Sequence, residues 1–248
     1  MPARVTLEQR DRVGLIRIDD GKVNALDVEL LSELGAVLAT VDGAAAIVIT
    51  GNGRAFSAGL DLRALLAADL GYAEALLVEL ERVSLAIFTS DRPVVAAVDG
   101  PAIAGGAILA IAADLRLMSH GVIGLPELQV GVPIPPVLIE ISRHVLGARL
   151  QRHLLDGVAV DIDQALAIGL IDEVHPRESL VDAAVTRAQA LAQAPMVTYA
   201  QMKRQLQAGA LAAIAAVPAG LSEEVRASWT SDAVRAGIQA QVERMSRR

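Results

Sequence analysis

The sequence predicts an α/β fold, because β-rich apolar runs alternate with helical patterns. Runs that begin at Ile47, Val94 and Leu115 have the composition of strands. This alternation is typical of parallel strands that are joined by crossover connections. The chain of 248 residues is long enough for one large domain or for a domain with an appendage. Hydrophobic residues make up 53% of the chain and aromatic residues only 2%, so the predicted core is aliphatic.

The N-terminal part predicts a hairpin and a helix. Residues 5–7 and 13–17 alternate between apolar and polar side chains on either side of a polar turn. A helix is predicted over 28–41, where the leucines form an apolar stripe. Asn24 and Asp27 are both candidates for its N-cap. Asn24 could instead belong to a ligand-binding loop.

Two further helices are predicted at 65–70 and 73–88, with Gly71 as the break between them. A strand is predicted at 94–98. From Leu180 onwards the pattern is helix after helix, rich in alanine and interrupted at Pro195 and Pro218.

Two glycine-containing stretches, 51–62 and 99–114, each follow a predicted strand and lead into a helical pattern. The first N–H groups of a helix have no partner inside it and lie at the positive end of its dipole, so they favour an anion or a polarised carbonyl. Gly105 and Gly106 would equally permit tight helix packing. Together, the two stretches predict a pair of N–H donors that converge on one oxygen, as an oxyanion hole requires.

Glu127 is a candidate acid or base, because it lies between Pro126 and Leu128 in an apolar stretch. Removal of this carboxyl from water would raise its pKa towards neutrality. The alternative is a carboxylate that only begins a helix. The four histidines, His120, His144, His153 and His175, lack metal-ligand or catalytic-triad spacing and are interpreted as surface or structural residues.

The composition excludes several functional classes. A net charge of -7 disfavours nucleic acid and anionic membranes as main partners. The absence of cysteine excludes disulfides, thiolate nucleophiles and zinc-thiolate sites. Residues 1–8 lack an apolar signal core, and the longest apolar runs are shorter than a membrane span, so a cytoplasmic protein is expected. The mean hydropathy of +0.45 is high and predicts apolar surface between subunits.

Several ordered motifs resemble the crotonase superfamily of enoyl-CoA hydratases and isomerases. They are residues 22–26, 51–62, 99–106, the pair Pro126 and Glu127, and residues 165–174. The resemblance covers nearly the whole chain in the expected order. It implies a repeated ββα spiral core at 1–190 and a C-terminal helical trimerisation region at 191–248. A homotrimer or a dimer of trimers is then expected, and the C-terminal helices could line the acyl pocket of a neighbouring subunit.

The resemblance also implies roles for individual residues. The backbone N–H groups of Leu60 and Gly105 would form the oxyanion hole, and Glu127 would move the proton. Four residues would bind the substrate, namely Lys22, Ala58, Arg63 and Ile108. Of these, Lys22 and Arg63 are the candidates for contact with the coenzyme A phosphates. Lys22 could otherwise be merely solvated, and Arg63 could form an ion pair with Asp61. Coenzyme A would be part of the substrate, and neither a metal nor a separate cofactor is expected.

One position departs from the hydratase pattern. Hydratases of this superfamily usually carry a second glutamate where this chain has Ile108. Isomerisation of a Δ3-enoyl thioester to the Δ2 isomer needs only one carboxylate, so the resemblance favours isomerase chemistry. The alternatives are a hydratase that uses Glu127 and water, a non-catalytic acyl-CoA-binding relative, and a thioesterase or decarboxylase.

Overall fold

The computed structural model describes residues 3–247. Met1 and Pro2 of the predicted core and Arg248 of the predicted helical region lie outside the described residues. The strands are β1 (Val5–Arg10), β2 (Val13–Ile18), β3 (Ala25–Leu26), β4 (Ala46–Thr50), β5 (Gly59–Leu60), β6 (Val94–Val98), β7 (Ala102–Ile103), β8 (Leu115–Met118), β9 (Ile123–Gly124), β10 (Ala159–Val160) and β11 (Glu173–Val174). The helices are α1 (Val28–Ala39), α2 (Leu62–Ala67), α3 (Leu70–Phe88), α4 (Gly105–Ile111), α5 (Glu127–Val130), α6 (Pro136–Leu146), α7 (Arg149–Asp156), α8 (Ile162–Ile168), α9 (Leu180–Leu191), α10 (Met196–Ala215), α11 (Ala219–Ser228) and α12 (Asp232–Ser246).

A strand–strand–helix unit recurs along the chain, as β2-β3-α1, β4-β5-α2, β6-β7-α4 and β8-β9-α5. The first strand of each unit joins a six-stranded sheet of order β1-β2-β4-β6-β8-β11. The short second strands pair in a separate layer, as β3-β5 and as β10-β9-β7. The predicted hairpin is the antiparallel pair β1-β2, and the rest of the large sheet is parallel, as the sequence predicts.

The central strands β2, β4 and β6 are buried on both faces, which is usual for parallel strands, whereas the edge strand β1 is mostly exposed. Val13 and Val48 point towards α9 and its Leu180. Ile16 and Ile47, in the same two strands, belong to the larger cluster on the opposite face. Because successive side chains of a strand alternate between faces, continuous apolar runs such as β4 supply both layers.

In residues 3–247 four aspartates begin helices, and each carboxylate accepts a backbone N–H two or three residues later. One of them, Asp161, caps α8. Asp27 caps α1, Asp61 caps α2 and Asp69 caps α3. Of the two candidates that the sequence offers for the N-cap of α1, Asp27 is thus the correct one. The break predicted at Gly71 is wrong. Gly71 lies inside α3, and the chain breaks at 68–69, because the Asp69 side chain accepts the Tyr72 N–H.

Asn24 is neither a helix cap nor an exposed loop residue, so its cap prediction is wrong. Its side chain is fully buried, and its amide donates to the carbonyls of Ile18, Ala55 and Phe56 at 2.9, 3.0 and 3.2 Å. Its φ of 54° lies in the left-handed region, which asparagine tolerates better than most residues. Asn24 therefore holds the end of the hairpin to the loop that precedes β5.

The C-terminal part is helical as predicted, and Pro195 and Pro218 immediately precede α10 and α11. The last helix, α12, returns to the core and packs on α2 and α5. The division into a core at 1–190 and a helical region at 191–248 stays a prediction. In residues 3–247 no single helix is long and apolar enough to cross a membrane, and the bent pair α10 and α11 meets that criterion by length and composition only.

The role of Asn24 can be measured with two substitutions. Asn24→Gly removes the buried hydrogen bonds and should cost about 2 kcal/mol of unfolding free energy. Asn24→Ala also places a Cβ at positive φ and should cost about 1 kcal/mol more. Urea unfolding of both variants beside the unmodified protein gives the two contributions. If either variant lies within about 0.5 kcal/mol of the unmodified protein, Asn24 does not hold the two segments together.

Candidate active site

One cavity of about 390 Å³ collects every site residue that the sequence predicts. These residues come from loops and elements far apart in the chain, and they are Lys22, Ala58, Leu60, Arg63, Gly105, Ile108 and Glu127. The cavity lies where the two glycine-containing stretches meet. The wall around these residues is mostly aliphatic.

The two stretches are joined through Ser57, whose side chain is fully buried. Its carbonyl accepts the Ile103 N–H at 3.0 Å. Its hydroxyl donates to the Asn24 carbonyl at 2.7 Å and accepts the Gly59 N–H at 3.1 Å. A Cβ on Gly106 would lie 2.5 Å from the Ser57 carbonyl oxygen, so only glycine permits this approach. Gly106 therefore has the packing role that was the alternative to ligand binding.

The Leu60 N–H, in β5, faces away from the paired strand β3. The next residue, Asp61, donates its N–H to the Leu26 carbonyl of the β3 segment at 2.9 Å. Successive N–H groups along a strand point to opposite edges, so the Leu60 N–H is directed to the other side. Leu60 lines the cavity on that side.

Gly105 is the first residue of α4. The first bond within that helix runs from the Ile108 N–H to the Ala104 carbonyl at 3.0 Å, so the Gly105 N–H has no partner in its helix. Ala104 provides no side-chain cap and has a φ of 53° and a ψ of -124°. Such a backbone is rare for a residue with a Cβ and is often found at functional sites.

Glu127 is the first residue of α5 and is 8% exposed. Its Oε2 atom is buried and has no hydrogen-bond partner in residues 3–247. Burial raises the pKa of this carboxyl from 4.5 to about 7, and a hydrogen bond from its own backbone opposes the shift. Glu127 does begin a helix, as the alternative has it, but its side chain lies against the cavity and has the pKa of a usable acid or base.

The other carboxylate on the cavity wall belongs to Asp61. Its Oδ1 already accepts the N–H groups of Arg63 and Ala64 at 3.0 Å each. Ile108, one turn into α4, is 1% exposed and is an aliphatic part of the wall. Among the described lining residues, Glu127 is therefore the carboxylate that does not serve as a helix cap.

Two exposed cations, Lys22 and Arg63, lie at the cavity. The alternative ion pair of Arg63 with Asp61 is absent from the described residues. The guanidinium of Arg63 instead lies 3.4 Å from the Ser246 hydroxyl at the end of α12. Both cations are consequently available to an anionic group.

The C-terminal helices contribute residues that sequence reasoning missed. Trp229, Gln241, Val242 and Met245 line the cavity of their own chain, whereas the sequence suggested the pocket of a neighbour. The single tryptophan, in an otherwise alanine-rich segment, is the signal that could have indicated Trp229. The four histidines, which the sequence analysis interprets as surface or structural residues, do not line this cavity. Residues 3–247 contain no cluster of acidic and histidine side chains that could hold a metal ion.

Comparisons with known proteins agree on one family. The family model described as enoyl-CoA hydratase/isomerase matches residues 8–247. A probable enoyl-CoA hydratase of Rhodobacter capsulatus is 33% identical over 247 residues, which are 97% of this chain and 95% of the relative. A putative enoyl-CoA hydratase of Thermus thermophilus is 33% identical over 194 residues, which are 74% and 76% of the two chains.

Solved structures give the same fold. A probable enoyl-CoA hydratase of Mycobacterium tuberculosis has a TM-score of 0.84 at 33% identity, over 89% of this chain and 95% of that chain. Human mitochondrial Δ3-Δ2-enoyl-CoA isomerase has a TM-score of 0.90 over 98% of each chain, and at 23% identity it shows the fold alone. The strand–strand–helix units are thus the predicted crotonase spiral, and the chain belongs to the enoyl-CoA hydratase/isomerase family of the crotonase superfamily.

Proposed function

We propose that this family member is an enoyl-CoA isomerase, which converts a Δ3-enoyl thioester to the Δ2 isomer. The observation that carries the proposal is Glu127, a buried carboxyl without a hydrogen-bond partner for its Oε2 atom among the described residues, in a cavity that Ile108 also lines, at the place of the second glutamate of hydratases. One carboxyl with a pKa of about 7 both accepts and returns a proton near neutral pH.

The proposed reaction moves one proton within the substrate. Ionised Glu127 takes a proton from C2 of the Δ3-enoyl thioester, and the electron pair of that C–H bond moves into the thioester carbonyl. The oxygen of the resulting dienolate accepts hydrogen bonds from the N–H groups of Leu60 and Gly105, which stabilise the new charge. Protonated Glu127 then returns the proton at C4, the double bond forms between C2 and C3, and the enzyme is restored.

Hydration is the second candidate, because relatives at 33% identity are named as hydratases. Addition of water generally uses two carboxylates to hold and activate the water. Ile108 offers no proton acceptor at the place of the second one. The Mycobacterium tuberculosis protein that one solved structure names a probable hydratase is named an enoyl-CoA isomerase in its apo structure, which is also 33% identical, with a TM-score of 0.83 over 90% of this chain. The names of relatives therefore do not separate the two reactions, and the proposal rests on the side chain at 108.

The remaining lining residues suit a coenzyme A thioester. Lys22 and Arg63 are proposed to bind the phosphates of the coenzyme, while Ala58 and Ile108 contact the substrate nearer the reacting carbons. Coenzyme A enters as part of the substrate, and the proposed reaction uses no metal or redox cofactor. Nucleic acid and membranes are not proposed as partners, and a cytoplasmic location stays a prediction.

A homotrimer or a dimer of trimers is proposed as the assembly. The helix α10 leaves large apolar side chains exposed, among them Val197, Met202 and Leu206. Exposed apolar surface of this kind usually lies at an interface. Light scattering of the purified chain should give a mass at least three times 25.9 kDa. A stable monomer at micromolar concentration would overturn the proposed assembly.

The reaction is tested by substitution of Glu127 and Ile108. Glu127→Gln is nearly isosteric and should preserve binding of acyl-CoA, while exchange of the C2 proton with solvent deuterium stops. Ile108→Glu adds the second carboxylate and should raise water addition from a low base. The unmodified protein should form the Δ2 isomer from 3-enoyl thioesters and little 3-hydroxyacyl product.

The outcomes separate the candidate functions. Continued exchange in Glu127→Gln would remove Glu127 from the reaction and the proposal with it. Water addition by the unmodified protein that exceeds isomerisation would establish the hydratase. Tight acyl-CoA binding without any product would identify a non-catalytic relative. Glu224→Gln, an exposed change outside the cavity, is the matched control for the loss of one acidic group.

The raised pKa of Glu127 also predicts a dependence of stability on pH. The folded state holds the Glu127 proton more tightly than the unfolded state, so the contribution of Glu127 to stability is fully present below pH 4.5 and is lost as the pH rises to about 7. When that contribution is fully lost, the free energy of unfolding is lower by about 3 kcal/mol. Glu127→Gln removes the titration, so its stability relative to the unmodified protein should improve across that window. If the free energy of urea unfolding depends on pH in the same way in both proteins, the raised pKa of Glu127 is contradicted.

A further inference from the structure

We propose that Trp229 closes the acyl end of the cavity and limits the length of the acyl chain. The inference rests on the proposed acyl-CoA function and names the part of the substrate that the C-terminal helices select. Trp229 is the only tryptophan of the chain and follows directly after α11. It is 5% exposed, belongs to the main apolar cluster and lines the cavity.

The ring of Trp229 is held in place by a hydrogen bond. Its indole N–H donates to the Pro133 carbonyl at 3.0 Å. Pro133 belongs to the segment 132–135, which joins α5 to α6 and itself lines the cavity. A buried indole usually needs such a partner, and the bond fixes which face of the ring meets the cavity.

The helix that precedes Trp229, α11, contacts α3 on its other side. Arg226 of α11 lies 3.9 Å from the Glu81 carboxylate of α3. On the same helix α3, Leu77 and Leu80 line the cavity and are almost fully buried. The wall formed by Trp229, Leu77 and Leu80 is therefore anchored both to α3 and to the segment 132–135.

Trp229 and Arg63 lie at opposite ends of α12. The Arg63 guanidinium lies 3.4 Å from the Ser246 hydroxyl at the end of that helix. Trp229 lies three residues before its start, and a helix of this length spans about 22 Å. Apolar side chains line much of the cavity between them, among them those of α3, α6 and the segment 132–135. A thioester whose anionic end meets Arg63 would therefore extend its acyl chain towards Trp229.

This arrangement selects for chain length because a bulky, fixed ring leaves no space beyond it. In an unobstructed apolar pocket each additional buried methylene improves affinity about fourfold. The gain should stop at the chain length that reaches the Trp229 ring. Removal of the ring should restore the gain for longer chains.

The test compares binding and turnover over a series of acyl lengths. Calorimetry gives the Kd of saturated straight-chain acyl-CoA thioesters for the unmodified protein, Trp229→Ala and Trp229→Phe. The same variants are assayed with 3-enoyl thioesters of the same lengths. In Trp229→Ala the ratio of long-chain to short-chain affinity should rise about fifteenfold, as two newly buried methylenes provide. Trp229→Phe keeps a ring, loses the bond to Pro133 and should leave the ratio within about threefold, since only the anchoring changes.

Leu155→Ala is the matched control, because Leu155 is exposed on α7 and does not line the cavity. It should leave the length ratio unchanged. An unchanged ratio in folded Trp229→Ala overturns the proposal. If Trp229→Ala does not fold, Trp229→Met replaces it, with the same expected rise, and an unchanged ratio there equally overturns the proposal. The binding series decides the role of Trp229 even if the unmodified protein does not isomerise any 3-enoyl thioester, so the two proposals fail independently.

The single tryptophan gives a further readout in the unmodified protein. Its fluorescence should change when a thioester with a long acyl chain binds, and should stay constant when acetyl-CoA binds. This follows because only the end of a long chain reaches the indole. Identical fluorescence responses to both thioesters would place the acyl chain elsewhere and overturn the proposal.

Discussion

The candidate site depends on the close approach of two backbone segments at Ser57 and Gly106. The Ser57 carbonyl, which accepts the Ile103 N–H, leaves no space for a side chain at Gly106. The Ser57 hydroxyl also accepts the Gly59 N–H, so the same residue contacts the segments that lead to Leu60 and to Gly105. The separation of the two proposed N–H donors is thus set by backbone contacts, which vary less than contacts between flexible side chains.

Two buried polar residues stabilise this contact from outside the cavity. Asp99 accepts the N–H groups of Gly51 at 3.0 Å and Gly53 at 2.7 Å. Asn24 holds the carbonyls of the next residues along the same loop. Burial raises the pKa of Asp99, and the bonds from the two glycines oppose that shift. The loop before β5 therefore depends on polar bonds that are shielded from water, where the loss of one partner is costly.

Most of the fold and the site could be predicted because their signals are local. Alternating apolar residues indicate the hairpin, and Asp27 and Asp61 are caps that a pattern of a few residues reveals. The seven predicted site residues share one cavity because motifs that follow successive parallel strands end at the same edge of the sheet. Asn24 could not be predicted in this way, because contacts outside the local pattern decide it. Two of the three carbonyls to which its amide donates lie more than thirty positions away. The break predicted at Gly71 is wrong for a local reason, because the cap at Asp69 begins α3 and outweighs the helix-breaking tendency of Gly71.

The return of α12 to the core was also hidden from the sequence, because its alanine-rich pattern does not specify which surface it covers. Gly237 provides the physical explanation, since a Cβ there would collide with the Val130 carbonyl at the end of α5. α12 can therefore approach the short helix that carries Glu127, and Arg235 donates to the Leu66 carbonyl of α2 at 3.2 Å. One helix thus contacts both the element that begins with the proposed base and the element that Asp61 caps. The short helix that Glu127 begins is therefore covered by a helix that lies more than one hundred residues further along the chain.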